Sequence, residues 1–126
     1  SDVCSSDLIV ASSFAQNKKL DWLEGKWTGE GFQPGEGVNH KWSMEIVYKN
    51  ENLQVRYPSL LCEGHWELIK SGRHKAVFIE RIITGTENCV NNLKVEVRRG
   101  KKKQLGTISI SFIENGKVSS FAMLHP

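Results

Sequence analysis

Polar and apolar residues alternate along most of the chain after residue 25, with the period of half-buried β-strands. The segment from His40 to Tyr48 is the clearest case, because Trp42, Met44 and Ile46 would share one face with Tyr48. Seven further segments alternate in this way or form short apolar runs. We predict eight strands, at residues 27–33, 40–48, 53–57, 62–69, 75–84, 93–97, 105–113 and 118–124.

Short polar turns separate several of these segments and favour antiparallel pairing of consecutive strands. Asn115-Gly116 is the strongest hairpin signal in the chain. Eight short antiparallel strands predict an all-β, up-and-down β-barrel, because closure removes the exposed sheet edges. A two-sheet sandwich is the alternative, although sandwiches usually need longer crossovers. A short helix is predicted before the barrel, from an N-cap at Asn17 to Gly25.

The first strand is distinguished by Trp27, Gly29 and Gly31, which would lie on one face. Two glycines on one face suit a sharp bend or the close approach of another chain segment. We expect Trp27 to plug the floor of the barrel. A short helix followed by this Gly-x-Trp opening resembles the calycin barrels, the lipocalins and fatty-acid-binding proteins. The longer form, from Gly25 to Gly31, is similar to the opening of nitrobindin-type haem barrels.

The first fifteen residues are expected to lie outside the barrel domain. Residues 1–8 resemble the translation of a sequencing adapter, and Cys4 is discounted with them. Residues 8–15 resemble the end of a secretory signal peptide, with small residues at Ser13 and Ala15. Cleavage after Ala15 would leave a single domain at residues 16–126, secreted or periplasmic, and no later stretch has the length and apolarity of a membrane span.

Cys62 and Cys89 then form an even pair, which predicts one disulfide in an oxidising compartment. Cys62 opens the fourth strand and Cys89 follows the fifth, so both lie at the same end of an antiparallel pair. The alternative is two unpaired buried thiols in a cytosolic protein. The segments 57–64 and 84–89 that contain these cysteines also resemble a family of small secreted bacterial domains of unknown role.

Charge adds little to this interpretation. The chain has 17 basic and 14 acidic residues and a formal net charge of +3. Its densest basic cluster, residues 98–103, is more typical of a solvated hairpin tip than of a nucleic-acid site. We therefore predict no nucleic-acid partner.

No pattern predicts catalysis or a metal site. The histidines lack metal-ligand spacing on a strand, and the sequence carries neither a Gly-x-Ser-x-Gly motif nor a phosphate loop. We predict no enzyme, no cofactor and no metal. Glu80 and Arg81 are adjacent and must face opposite ways on a strand. One of them is expected inside the barrel, where it would need a partner or a polar group of a ligand, and Arg56 is the nearest candidate of opposite sign for Glu80. The alternative is that the taper of the barrel leaves that end hydrated.

The predicted function is non-catalytic binding of a small, mostly apolar ligand inside a monomeric barrel. The residues expected to line the interior could also fill a small barrel completely. One alternative is therefore a filled barrel that binds a protein through loops 34–39 and 85–92, in the manner of small periplasmic lysozyme inhibitors. The other is a haem barrel, with His125 of the last strand as the iron ligand. The predicted ligand-binding residues are Trp42, Met44, Tyr48, Tyr57, Trp66, Phe78 and Glu80.

Overall fold

The computed structural model describes residues 20–34, 40–101 and 106–126. The predicted signal-peptide remnant, the N-cap at Asn17, most of loop 34–39 and part of the basic cluster 98–103 lie outside the described residues. Among those that are described, no helix has the length and apolarity to cross a membrane.

Eight antiparallel strands form one closed barrel, in which each strand pairs with its sequence neighbours and the last pairs with the first. This confirms the predicted up-and-down barrel and excludes the sandwich. The observed bounds differ from the predicted ones by at most a few residues. The strands are β1 (Gly25–Gln33), β2 (His40–Lys49), β3 (Asn52–Tyr57), β4 (Cys62–Lys70), β5 (Lys75–Thr84), β6 (Lys94–Arg99), β7 (Ile108–Glu114) and β8 (Lys117–His125).

The end of the barrel next to residue 25 is covered by a single 3-10 turn, Asp21–Leu23, where the sequence predicted a longer helix. Leu20 and Leu23 are fully buried in this cover. Trp27 lies beneath it, and its Nε1–H donates a hydrogen bond of 2.8 Å to the carbonyl oxygen of Leu23. The Trp22 Nε1–H donates 2.9 Å to the carbonyl oxygen of Gly72, which ties the cover to the turn between β4 and β5. We call this the closed end.

Alternate residues of every strand point into the barrel, as the sequence pattern predicted. In β1 the inward positions include Gly29 and Gly31, which lie opposite Met44 and Trp42 of β2. A Cβ atom on Gly29 would lie 2.2 Å from the carbonyl oxygen of Met123, and one on Gly31 would lie 2.3 Å from the Trp42 ring. Only glycine therefore allows β8 and the Trp42 indole to approach β1 this closely.

The opposite end, which we call the open end, carries the β3–β4 and β5–β6 connections and the β7–β8 hairpin. A disulfide joins Cys62, the first residue of β4, to Cys89 in the β5–β6 connection, with a sequence separation of 27. The predicted disulfide is thus confirmed. Its position fixes the longer connection against the strand that begins beside it.

Candidate functional site

A cavity of about 120 Å³ opens at the open end of the barrel. Its wall combines aromatic rings, a carboxylate and a few small polar groups. The lining residues come from six strands and from two connections at this end. They are Gln33, Trp42, Tyr57, Leu60, Glu80, Asn88, Cys89, Val90, Leu93, Phe112 and Ser120.

Glu80 is the charged residue in this wall, and its side chain is almost fully buried, with 3% of the residue exposed. It lies on β5 directly opposite Trp66 of β4. The Tyr57 hydroxyl and the Trp66 Nε1–H both donate to Glu80 Oε2, the latter over 2.8 Å. Among the described residues, none donates a hydrogen bond to Glu80 Oε1. The carboxylate is therefore oriented by two neutral donors, and one of its oxygens is left for another partner.

Arg56, the nearest candidate of opposite sign for Glu80 in the sequence, does not pair with it. Arg56 points to the outer face, where its guanidinium lies 3.3 Å from Glu45. Arg81 also points outward, with its Nε 3.3 Å from Glu67. Strand parity explains both results, because Arg56 and Arg81 each directly adjoin an inward-facing residue. Within the described chain no cation lies within 4 Å of the Glu80 carboxylate.

Burial has the largest influence on the pKa values of Glu80 and Tyr57. Loss of solvation raises the pKa of Glu80 above its usual value near 4.5, although the hydrogen bonds from Tyr57 and Trp66 act in the opposite direction. Burial, together with the nearby Glu80 charge, raises the pKa of Tyr57 well above 10. Tyr57 consequently remains protonated at neutral pH, as its role as a hydrogen-bond donor requires.

Phe112 of β7 forms the centre of an aromatic cluster beside Glu80. Its ring centroid lies 6.3 Å from that of Trp42, 6.4 Å from that of Tyr57 and 6.3 Å from that of Trp66. The Trp42 and Trp66 pairs are edge-to-face, a favourable arrangement for aromatic rings. The cavity that Glu80 lines is therefore also lined by three aromatic rings, those of Trp42, Tyr57 and Phe112.

The Nε1 atom of Trp42 is buried and has no hydrogen-bond partner among the described residues. An unpaired buried N–H costs about 1–3 kcal/mol, and each such group in a native structure calls for an explanation. The indole lies against Gly31 on one side and lines the cavity on the other.

The frame of the cavity is held by connections that meet at the open end. The backbone N–H of Glu80 donates a hydrogen bond of 2.8 Å to the backbone carbonyl oxygen of Leu93. The backbone N–H of Asn92 donates one of 3.0 Å to the backbone carbonyl oxygen of Glu80. The Asn91 side chain accepts hydrogen bonds from the backbone N–H groups of Ile82 and Asn92. These bonds fix the β5–β6 connection to β5, which carries the carboxylate, and the Cys62–Cys89 disulfide fixes it to β4.

The turn after β3 is anchored in a similar way. Ser43 and Ser59 each donate a backbone N–H to the other's hydroxyl, over 2.9 and 3.2 Å. Leu60, which lines the cavity, is the next residue in this turn. The two connections that line the cavity, β3–β4 and β5–β6, are therefore both held by hydrogen bonds, and the disulfide lies between them.

The structure divides the predicted ligand-binding residues into two groups. Trp42, Tyr57 and Glu80 line the cavity, and Trp66 orients Glu80. Met44, Tyr48 and Phe78 are buried among the side chains that fill the interior and are absent from the cavity wall. The sequence analysis did not select Phe112 or Ser120, although the alternation of β7 and β8 could have placed both inside the barrel.

His125, the residue on which the haem alternative depends, lies away from this cavity. It is exposed on the outer face near the closed end, opposite Thr28 in the pairing of β8 with β1. Its Nδ1 lies 3.2 Å from the carbonyl oxygen of Pro126. Among the described residues, no group of three histidine, cysteine or acidic side chains is arranged to hold a metal ion.

Comparison of the chain with protein-family models, with curated proteins and with solved structures found no match in any of the three. The closed eight-stranded barrel is consistent with a calycin-like fold. The narrower likeness to lipocalins or nitrobindins stays a prediction from the opening motif.

Proposed function

We propose that this chain is a non-catalytic binding protein that holds a small, mostly apolar ligand in the open-end cavity. The observation that carries the proposal is Glu80, a buried carboxylate with one oxygen free of hydrogen bonds from the described residues, in the aromatic wall of a preformed cavity. Largely preformed apolar cavities with few oriented polar groups are typical of small-molecule sites. Glu80 would hold the polar group of the ligand and the aromatic rings its apolar body.

The volume of the cavity limits the ligand. About 120 Å³ is well below the roughly 300–1,000 Å³ of sites for drug-sized molecules. It is closer to the about 150 Å³ of an engineered cavity that holds benzene. The space suits a ligand with a body of about one ring, whereas a fatty acid or a haem would need the interior that Met44 and Phe78 fill.

Secretion is part of the same proposal. The Cys62–Cys89 disulfide supports it, because structural disulfides form and persist mainly in oxidising compartments. The disulfide also holds the rim of the proposed site, so oxidation would be needed for a fully formed cavity.

The indole N–H groups of the four tryptophans offer a direct test by NMR with ¹⁵N-labelled protein. A screen of one-ring compounds should shift the signals of Trp42, which lines the cavity, and of Trp66, which donates a hydrogen bond to Glu80. Trp22 and Trp27 at the closed end serve as internal controls and should not move. A screen in which no compound moves the Trp42 or Trp66 signal, or in which all four signals move equally, would contradict the proposed site.

A protein-binding role is the second candidate, supported by two exposed apolar residues at the rim. Leu61 and Val90 are 78% and 57% exposed, and each directly adjoins a cysteine of the disulfide. Exposed apolar groups beside a rigid loop are typical of recognition surfaces. Lysozyme inhibition that is present in the native protein and lost in a Leu61→Asp, Val90→Asp variant would support this role. Absence of inhibition in the native protein would remove the lysozyme hypothesis.

A further inference from the structure

We propose that the polar group of the ligand is a cation, so that the cavity selects small organic amines or amidines with an apolar body. This inference rests on the proposed function and specifies the ligand class of the same site. It depends on three features of the cavity: an uncompensated carboxylate, aromatic walls and a lining without basic side chains.

The first feature is the state of the Glu80 carboxylate. A buried carboxylate is costly unless it is paired and hydrogen-bonded. Tyr57 and Trp66 both donate to Oε2 and neither brings a positive charge. Oε1 accepts nothing from the described residues, and no described cation approaches within 4 Å. An ammonium or amidinium group would bring a positive charge to the carboxylate and could donate a hydrogen bond to this free oxygen.

The second feature is the aromatic wall around the carboxylate. Trp42, Tyr57 and Phe112 line the cavity, and Trp66 packs against Phe112 from the side of Glu80. Aromatic faces attract cations through their quadrupoles, most strongly where water is excluded. A carboxylate beside aromatic rings therefore favours a positively charged group over a neutral one of the same shape.

The third feature concerns the ligands that the cavity disfavours. None of the described lining residues is lysine, arginine or histidine. An anionic ligand would meet Glu80 without a compensating cation, and like charges in a buried site repel strongly. A neutral alcohol could hydrogen-bond to Oε1, but it would leave the carboxylate charge uncompensated.

Three compounds of nearly equal shape separate these possibilities: benzylamine, benzyl alcohol and benzoate. Each would be titrated at neutral pH, where benzylamine is protonated, into the disulfide-bonded protein, with the four indole N–H signals as the readout. We expect benzylamine to bind at least about tenfold more tightly than benzyl alcohol, and benzoate to bind more weakly than either, because hydrogen bonds to charged groups are stronger than neutral ones.

Two variants localise the effect. Glu80→Gln keeps an oxygen for Tyr57 and Trp66 but removes the charge, and it should weaken benzylamine binding at least about tenfold while changing benzyl alcohol binding about threefold or less. The matched control is Glu45→Gln, a carboxylate on the outer face beside Arg56, which should leave all three affinities unchanged.

The outcomes distinguish this inference from the proposed function. If benzyl alcohol or benzoate shifts Trp42 and Trp66 and binds as tightly as benzylamine, the cation inference is overturned and the small-ligand function stands. If none of the three compounds binds and the wider one-ring screen also fails, both are overturned. Should Glu80→Gln fail to fold, the ratio of benzylamine to benzyl alcohol affinity in the native protein decides the question alone.

Discussion

The two ends of the barrel are built from the same eight strands but from different kinds of side chain. At the closed end, Leu20, Leu23, Ile108 and Leu124 are fully buried, and the Trp27 N–H has a backbone partner. At the open end, the wall includes a carboxylate, a hydroxyl and an indole N–H without a partner among the described residues. One end satisfies its polar groups and packs its apolar ones, whereas the other leaves polar groups facing a cavity.

This contrast indicates where stability and where binding reside in the barrel. Aliphatic burial stabilises a fold, whereas a buried carboxylate and an unpaired N–H both cost free energy. Such costs are typical of binding sites. Substitutions that removed them would stabilise the protein but would also remove the groups that contact the ligand. Substitutions at the closed end should therefore lower stability without changing ligand selectivity, whereas substitutions of the side chains that line the cavity should change ligand selectivity.

The largest expected effect is at the closed end. Leu23→Ala removes a fully buried side chain from the cover and should lower the free energy of unfolding by about 3–5 kcal/mol, from lost burial and the space left behind. Urea unfolding followed by circular dichroism measures this. Leu61→Ala at the open end is the matched control, because that leucine is 78% exposed and should cost less than about 0.5 kcal/mol. Equal losses in the two variants would contradict the division between the ends.

Removal of the disulfide tests how the open end is held. Replacing Cys62 and Cys89 together by serine should lower the free energy of unfolding by about 3–4 kcal/mol. The two cysteines are separated by 27 positions, and without the cross-link the loop between them is no longer closed in the unfolded chain. Hydrogen exchange should accelerate more in the β5–β6 connection than around Asp21–Leu23, because local opening at the open end adds to the loss of global stability. Uniform acceleration throughout the barrel would instead mean that the disulfide stabilises both ends alike.

Two glycines of β1 differ in what lies closest to them, a neighbouring strand or a side chain that lines the cavity. At Gly29 the nearest obstacle to a Cβ is a carbonyl oxygen of β8, whereas at Gly31 it is the Trp42 indole. Because a side chain yields more easily than a paired strand, Gly29→Ala should cost about 2–3 kcal/mol and Gly31→Ala about 1 kcal/mol. Gly31→Ala should also shift the Trp42 indole signal and change benzylamine affinity. A larger stability loss for Gly31→Ala would contradict this explanation.

The fold could be predicted because it depends on local patterns. Alternation assigns each side chain to a face, and short turns leave only neighbouring strands to pair, so the barrel, its strand order and the disulfide follow from the chain itself. In the described part of the predicted helix, from residue 20 onward, the structure has one 3-10 turn, because an apolar side formed by Leu20, Trp22 and Leu23 does not distinguish a 3-10 turn from an α-helix.

The site could be predicted only in part, because it depends on contacts across strands. Parity indicated that either Glu80 or Arg81 points inward, but not that Tyr57 and Trp66 from two other strands would converge on one carboxylate oxygen. Arg56 was a candidate partner by charge alone, but the alternation of side chains along β3 places it on the outer face of the barrel. Phe112 was overlooked because a single aromatic residue in an apolar strand gives no sign that it will be the centre of a cluster.

The smallest effect should be the pH dependence contributed by Glu80. Burial raises its pKa in the folded protein above the usual value near 4.5 of the unfolded chain. Between these two values the folded state binds more protons than the unfolded state, so the contribution of Glu80 to stability falls as pH rises through that window and is constant above it. Tyr57, the titratable group in contact with the carboxylate, stays protonated throughout because its pKa lies well above 10.

Glu80→Gln removes this dependence while leaving the other titrating groups in place. Relative to the Glu80→Gln variant, the native protein should therefore lose stability as the pH rises from 4 to neutral. Urea unfolding of both proteins across this range gives the difference directly, and Glu45→Gln on the outer face should track the native protein. Parallel curves for the native protein and Glu80→Gln would mean that the carboxylate is solvated as well in the barrel as in the unfolded chain. The open end would then carry no electrostatic cost for a cationic ligand to relieve.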